Sequence, residues 1–94
     1  MLVIRPPDNT PRMLEPWWLY MIECRGGSIY VGVAKNVEAR YLKHVKGSGA
    51  AYTRINPPTR LLGKMRYPDQ RSAMVAEREM KKLPRTKKLR MFKL

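Results

Sequence analysis

Apolar and polar positions follow different rhythms along this chain, and the changes of rhythm mark its elements. Trp17-Trp18-Leu19-Tyr20-Met21-Ile22 is an unbroken apolar run that leads into Glu23 and Cys24. Ile29-Tyr30-Val31-Gly32-Val33 is a second run, aromatic and β-branched. Both read as strands, over residues 17–24 and 28–33, and Gly26 and Gly27 supply the turn of a hairpin. The period then changes. Val37, Tyr41 and Val45 recur every four residues and predict a helix from about Val37 to Lys46, with that stripe as its buried side. Asn36 is placed to cap it and Gly47 to stop it.

Gly47-Ser48-Gly49 opens what reads as a flexible loop, running through Asn56-Pro57-Pro58. Thr59 to Tyr67 alternates weakly but holds Leu61, Leu62 and Met65, which predicts a third strand ended by Pro68. Asp69 can cap a second helix over about Gln70 to Leu83, with Ala73, Ala76, Met80 and Leu83 on its core face. Pro84 breaks that helix or starts the next one at its first turn. Residues 85–93 then form a short basic amphipathic helix offering Leu89 and Phe92. The order ββαβαα predicts an α+β fold: a small three-stranded sheet, mainly antiparallel, with flanking helices. Residues 1–16 hold four of the eight prolines and read as an extended or disordered arm, and residues 17–94 as the folded domain.

Length and charge narrow the class. Ninety-four residues suffice for one small domain with a modest core. The single cysteine, Cys24, excludes an internal disulfide framework and a cysteine-rich zinc site. No apolar run is long enough to span a bilayer, and the N-terminus lacks the pattern of a signal peptide. A soluble, cytoplasmic protein without a membrane partner is expected. Twenty basic residues against seven acidic ones give a net charge of +13. Such a field attracts polyanions, and nucleic acid is the foremost of them.

Several side chains could then carry chemistry. Tyr20 and Tyr30 can lie close together on neighbouring strands. A phenol can orient a water or donate to a phosphate oxygen, though packing in a core or as a cross-strand pair is the simpler explanation of the two residues taken alone. Arg40 and His44 stand one helical turn apart and flank the apolar stripe. A guanidinium can clamp a phosphate and an imidazole can pass a proton near neutral pH; a solvated helix face is the plain alternative. Glu77 lies at the margin of the second helix's core face. It could hold a hard divalent ion together with waters and phosphate, or simply pair with Lys81. The segment Gly47 to Arg54 could wrap a phosphate through Thr53 and Arg54, but it lacks the lysine and following helix of a nucleotide-binding P-loop. The basic residues from Lys81 to Lys93 suit non-specific backbone contact.

Taken together, the order and spacing resemble the short, stand-alone branch of the GIY-YIG nuclease superfamily over about residues 17 to 92. Trp18-Leu19-Tyr20 stands at the first signature triplet, in place of Gly-Ile-Tyr, and Tyr30-Val31-Gly32 at the second. The helix from Asn36 to His44, the segment from Gly47 to Arg54, and the helix carrying Glu77 resemble their counterparts in that branch.

The resemblance implies a metal-dependent endonuclease that hydrolyses phosphodiester bonds in DNA, structure-selective or of low sequence specificity. It also implies Mg²⁺ or Mn²⁺ on Glu77 and catalytic roles for Tyr20, Tyr30, Arg40, His44 and Glu77. Expected nucleic-acid contacts are Lys35, Lys43, Tyr52, Thr53, Arg54, Lys81, Lys82, Arg85, Lys87 and Lys88. RNA is the alternative polymer. A protein partner that supplies specificity, and a monomer or loosely associated dimer, are also expected. The asparagine that several catalytic members carry after the glutamate has no counterpart here. The competing reading is therefore a catalytically weak or inactive nucleic-acid-binding module that uses the same cleft.

Overall fold

The structure is a computed structural model and describes residues 15–91. The elements in chain order are β1 (Trp17–Cys24), β2 (Ile29–Ala34), α1 (Val37–Val45), α2 (Ala51–Ile55), β3 (Pro58–Tyr67), α3 (Gln70–Lys81) and α4 (Arg85–Met91). A 3-10 turn over Arg25–Gly27 joins the first two strands. Gly26 and Gly27 sit at φ values of 90° and 89°, the left-handed region that side chains other than glycine rarely adopt.

The sheet order is β2-β1-β3, and both pairings are antiparallel. The central position of β1 explains its unbroken apolar run, because a strand covered on both faces has no polar side to display. Its even-numbered residues Tyr20, Ile22 and Cys24 join Ala34 and Val37 in one core cluster, under Trp18, Tyr30, Tyr41 and Leu61. Leu19 and Met21 join Val31 and Met80 in the other, with Ala76, Leu83 and Leu89 packed against it. The first cluster lies beneath α1 and the second beneath α3 and α4.

The weak alternation of β3 has a physical cause. Its register against β1 shifts between Met21 and Ile22, where Met21 faces Gly63 and Ile22 faces Leu61. That bulge lets Leu62 and Met65, three apart, share the second cluster while Leu61 joins the first.

Helix capping follows the local signals. The Asn36 side chain accepts from the Ala39 N–H at 3.0 Å, and Asp69 accepts from the Ser72 N–H at 2.8 Å. The buried face of α1 departs from the expected stripe. Val45 is 51% exposed, whereas His44 is 2% exposed. The inward line runs Val37, Tyr41, His44, because the imidazole finds hydrogen-bond partners in the interior that remove the cost of burying it.

A second correction concerns the expected loop. Residues 51–55 within it form α2, too short to show a helical period in sequence. The second helix also ends two residues early, at Lys81, although Leu83 still packs beneath it. The expected N-terminal arm falls outside the described residues except for Glu15 and Pro16, as does the contact expected from Phe92. Among the described residues, no helix is long and apolar enough to cross a membrane.

Candidate active site

Four elements, β1, β2, α1 and α2, bring the polar groups together at the β2 edge of the sheet. Tyr20 and Gly32 are cross-strand partners, and the Tyr20 phenol passes directly over Gly32. A glycine at this position leaves the room that the ring occupies. The phenol ends against α1, where its hydroxyl lies 2.9 Å from His44 Nε2. On the other side of the imidazole, Nδ1 lies 2.7 Å from the Thr53 hydroxyl of α2. Tyr30, one strand over, packs beside both rings, with centroids 6.3 Å from Tyr20 and 5.0 Å from His44.

Beside these groups is a hollow of about 260 Å³ lined by Tyr30, Arg40, Lys43, His44, Ser48, Gly49 and Ala50. A second hollow of about 390 Å³ shares Tyr30 as a wall and is lined also by Ile29, Val31, Tyr52, Lys81 and Lys88. Tyr52 stacks on Tyr30 at 6.0 Å and stays exposed on its outer side. Together they form an aromatic wall between two openings edged with lysines.

The electrostatics follow from burial. Loss of solvent, and then the neighbouring Tyr30 phenol, push the Tyr20 hydroxyl well above the ordinary tyrosine value. The Arg40 guanidinium beside it pulls in the opposite direction, and the Glu77 carboxylate adds a smaller upward push. Tyr20 is therefore a neutral phenol at physiological pH. Burial first, and then the Arg40 charge, lower the pKa of His44. The imidazole is therefore neutral as well and can take up a proton.

Glu77 approaches from α3, and its side chain is only 19% exposed. One of its oxygens is 3.2 Å from the Lys81 ammonium, the i, i+4 pair that the spacing allows. The divalent ion implied by the sequence would fall to this carboxylate. No three His, Cys, Asp or Glu side chains cluster among the described residues. The donors present fit Mg²⁺ or Mn²⁺ held by one carboxylate, with water and substrate phosphate filling the remaining positions.

The remaining expected residues divide. Tyr20, Tyr30, Arg40 and His44 come together, and Lys43 and Tyr52 border the same openings. Thr53 is a correction. It is 1% exposed, and its hydroxyl donates to the Ala50 carbonyl at 2.9 Å, so it faces the imidazole and not a phosphate. Arg85 is another. Its Nε donates to the Gly27 carbonyl at 2.6 Å and its guanidinium meets Glu23, tying α4 to the hairpin. Lys35 lies 3.6 Å from Glu15, Lys82 lies 3.5 Å from Glu79, and Arg54 donates to the Gly49 carbonyl. Lys43, Lys87 and Lys88 form no ion pair with another described residue. Sequence reasoning placed Gly49 in a segment able to wrap a phosphate and did not set it against the imidazole. A Cβ there would overlap the His44 ring, so the residue preceding Ala50 must be small for the imidazole to sit where it does.

Residues 16–90 match the family model described as the GIY-YIG catalytic domain. A UPF0213 protein of Xanthomonas axonopodis pv. citri is 49% identical over 76 residues, covering 81% of this chain and 74% of the relative. A UPF0213 protein of Cupriavidus necator is 44% identical over 72 residues, covering 77% of this chain and 78% of the relative. The solution NMR structure of a UPF0213 protein from Bacillus halodurans aligns with a TM-score of 0.50 at 39% identity, covering 81% of each chain. With its three-stranded antiparallel sheet and its paired tyrosines, this chain belongs to the GIY-YIG family, among the stand-alone UPF0213 proteins.

Proposed function

We propose that the protein is a divalent-metal-dependent endonuclease that cuts phosphodiester bonds in DNA, selecting structure more than sequence. The observation that carries this reading is the hydrogen-bonded Tyr20–His44 pair beside a hollow lined by Tyr30 and Arg40. It combines a neutral proton acceptor, a phosphate-binding cation and a place for a scissile group within one small site.

In the proposed reaction, Arg40 binds the scissile phosphate and offsets the charge that builds as phosphorus becomes five-coordinate. Tyr30 orients the attacking water. The water's proton passes to the Tyr20 oxygen as the Tyr20 proton passes to His44 Nε2. The water oxygen bonds to phosphorus, the phosphorus–oxygen bond on the far side breaks, and the leaving oxygen takes a proton from solvent. His44 returns its proton to bulk water after product leaves. A divalent ion on Glu77, when bound, supplies charge neutralisation at the phosphate. Lys43, Lys81, Lys87 and Lys88 hold the polymer by displacing its counterions.

The second reading is a nucleic-acid-binding module without cleavage, and the Glu77–Lys81 ion pair favours it. An ammonium on the carboxylate competes with a metal for the same oxygen. The deciding experiment incubates the protein with labelled duplex, flap, branched and single-stranded DNA, and matched RNA, in Mg²⁺ or Mn²⁺, beside Glu77→Ala. Metal-dependent nicking of DNA that Glu77→Ala loses, with binding retained, is expected. Tight binding with no cutting by the parent would sustain the binding module instead.

A further inference from the structure

We infer that Thr53 is a positioning residue for His44: its hydroxyl, anchored on the Ala50 carbonyl, sets the imidazole as the Nδ1–H tautomer and leaves Nε2 as the proton acceptor facing Tyr20. The kinetic consequence rests on the nuclease reading above; the tautomer itself does not.

The direction of each bond follows from what each atom can do. A carbonyl oxygen only accepts, so at 2.9 Å from Ala50 O the Thr53 hydroxyl proton points to the backbone. The Thr53 oxygen then has only lone pairs left for His44 Nδ1, 2.7 Å away. Nδ1 must carry the hydrogen. A neutral imidazole carries only one, so Nε2 has a free lone pair, and the Tyr20 hydroxyl, 2.9 Å away, must be the donor. The polarity is set from one end: Tyr20 to His44, His44 to Thr53, Thr53 to Ala50.

Burial keeps this chain from being scrambled. Tyr20 and Thr53 are each 1% exposed and His44 2%, so solvent reaches these groups only from the margin of the hollow. The ring is held on its flanks by Tyr30 and by the bare backbone of Gly49. The short helix α2 thus places a hydroxyl behind the imidazole. The other tautomer would turn the Thr53 hydroxyl from Ala50 O to Nδ1 and, with Nε2–H donating to the Tyr20 oxygen, leave the buried Tyr20 O–H without its His44 acceptor, which costs free energy.

His44 is the single histidine of the chain, so an imidazole ¹⁵N spectrum of untagged protein reports on it alone. At pH 7 the parent should show a protonated Nδ1 and an unprotonated Nε2. Thr53→Ser should keep that pattern and the single-turnover cleavage rate. Thr53→Val, of similar size but without the acceptor, should shift the population toward Nε2–H and slow single-turnover cleavage by about 10²-fold, while substrate affinity holds. A parent spectrum with Nε2 protonated would overturn the inference, and the parent spectrum decides this even if Thr53→Val does not fold. So would an unchanged spectrum in a folded Thr53→Val. If the parent cuts no nucleic acid, the nuclease reading fails, and the tautomer measurement still decides the role of Thr53.

Discussion

The Tyr20 hydroxyl lies over its cross-strand partner Gly32 so closely that a Cβ at residue 32 would stand 2.5 Å from the phenol oxygen. No real Cβ contact is that short, so Gly32→Ala must push the phenol away from His44. The ring is enclosed in the core and has little space to retreat. A loss of about 1–3 kcal/mol is expected, the usual scale for overpacking a filled interior. Urea unfolding measures the loss, and the His44 ¹⁵N shifts report the broken hydrogen bond. A variant as stable as the parent, with unchanged shifts, would mean that the phenol has room to move.

Arg40 is exposed on α1 yet close enough to influence both Tyr20 and His44. Its loss should therefore harm chemistry more than folding. Arg40→Ala should slow single-turnover cleavage by a factor equivalent to about 3 kcal/mol, the scale of one preorganised donor to a developing charge. Arg40→Lys keeps the charge but loses the planar fork, so its rate should fall between those of the parent and Arg40→Ala. Parent-like rates in both variants would leave Arg40 as a solvated helix charge.

His44 should make stability depend on pH in a defined window. Its pKa in the folded protein lies below the value of ~6.5 expected in the unfolded chain. Between those two values the unfolded state binds a proton that the folded state refuses. Stability therefore falls as pH drops through that window and levels off below the folded value. The groups surrounding the imidazole are Tyr20 from β1, Tyr30 from β2 and Arg40 on its own helix, and the Tyr20 phenol, pushed up by burial, stays protonated across this window. Glu23, Glu38 and Asp69 are held below their ordinary values, so their contributions are lost only at more acidic pH. Urea midpoints across pH 8 to 5 test this. A rise in stability on acidification would contradict a neutral buried His44. Cleavage should decline over the same range, as the acceptor fills.

Lys87 and Lys88 follow the proposed catalytic groups and form no ion pair with a described residue, so they are free to meet phosphates. Replacing both with Ala should weaken binding about equally for all sequences. The slope of log affinity against log salt should become shallower by roughly one for each phosphate that is no longer neutralised. The single-turnover rate at saturating DNA should hardly change. An unaltered slope would move the anchoring role to Lys43 and Lys81.

Much of the architecture is local and can be read from the chain. A strand paired on both sides and covered on both faces must be apolar throughout, and Trp17 to Ile22 is. The turn at Gly26-Gly27, the caps at Asn36 and Asp69, and the stripe Ala73, Ala76, Met80, Leu83 are short-range signals that the structure preserves. Tyr20 and Tyr30 meet because a hairpin brings them together. The family motifs carry the rest of that reading, including Arg40, His44 and Glu77.

Tertiary structure decided which polar groups turn inward. Hydrophobic spacing placed Val45 in the core, but His44 takes that place because Tyr20 from β1 and Thr53 from α2 satisfy both ring nitrogens. Neither partner is near it in sequence. The same holds for Arg85, drawn to Gly27 and Glu23 across the fold, and for the room that Gly32 and Gly49 leave for two rings. Periodicity records how one segment meets water. It carries no record of hydrogen bonds or close approaches made with another segment, and those set the geometry of this site.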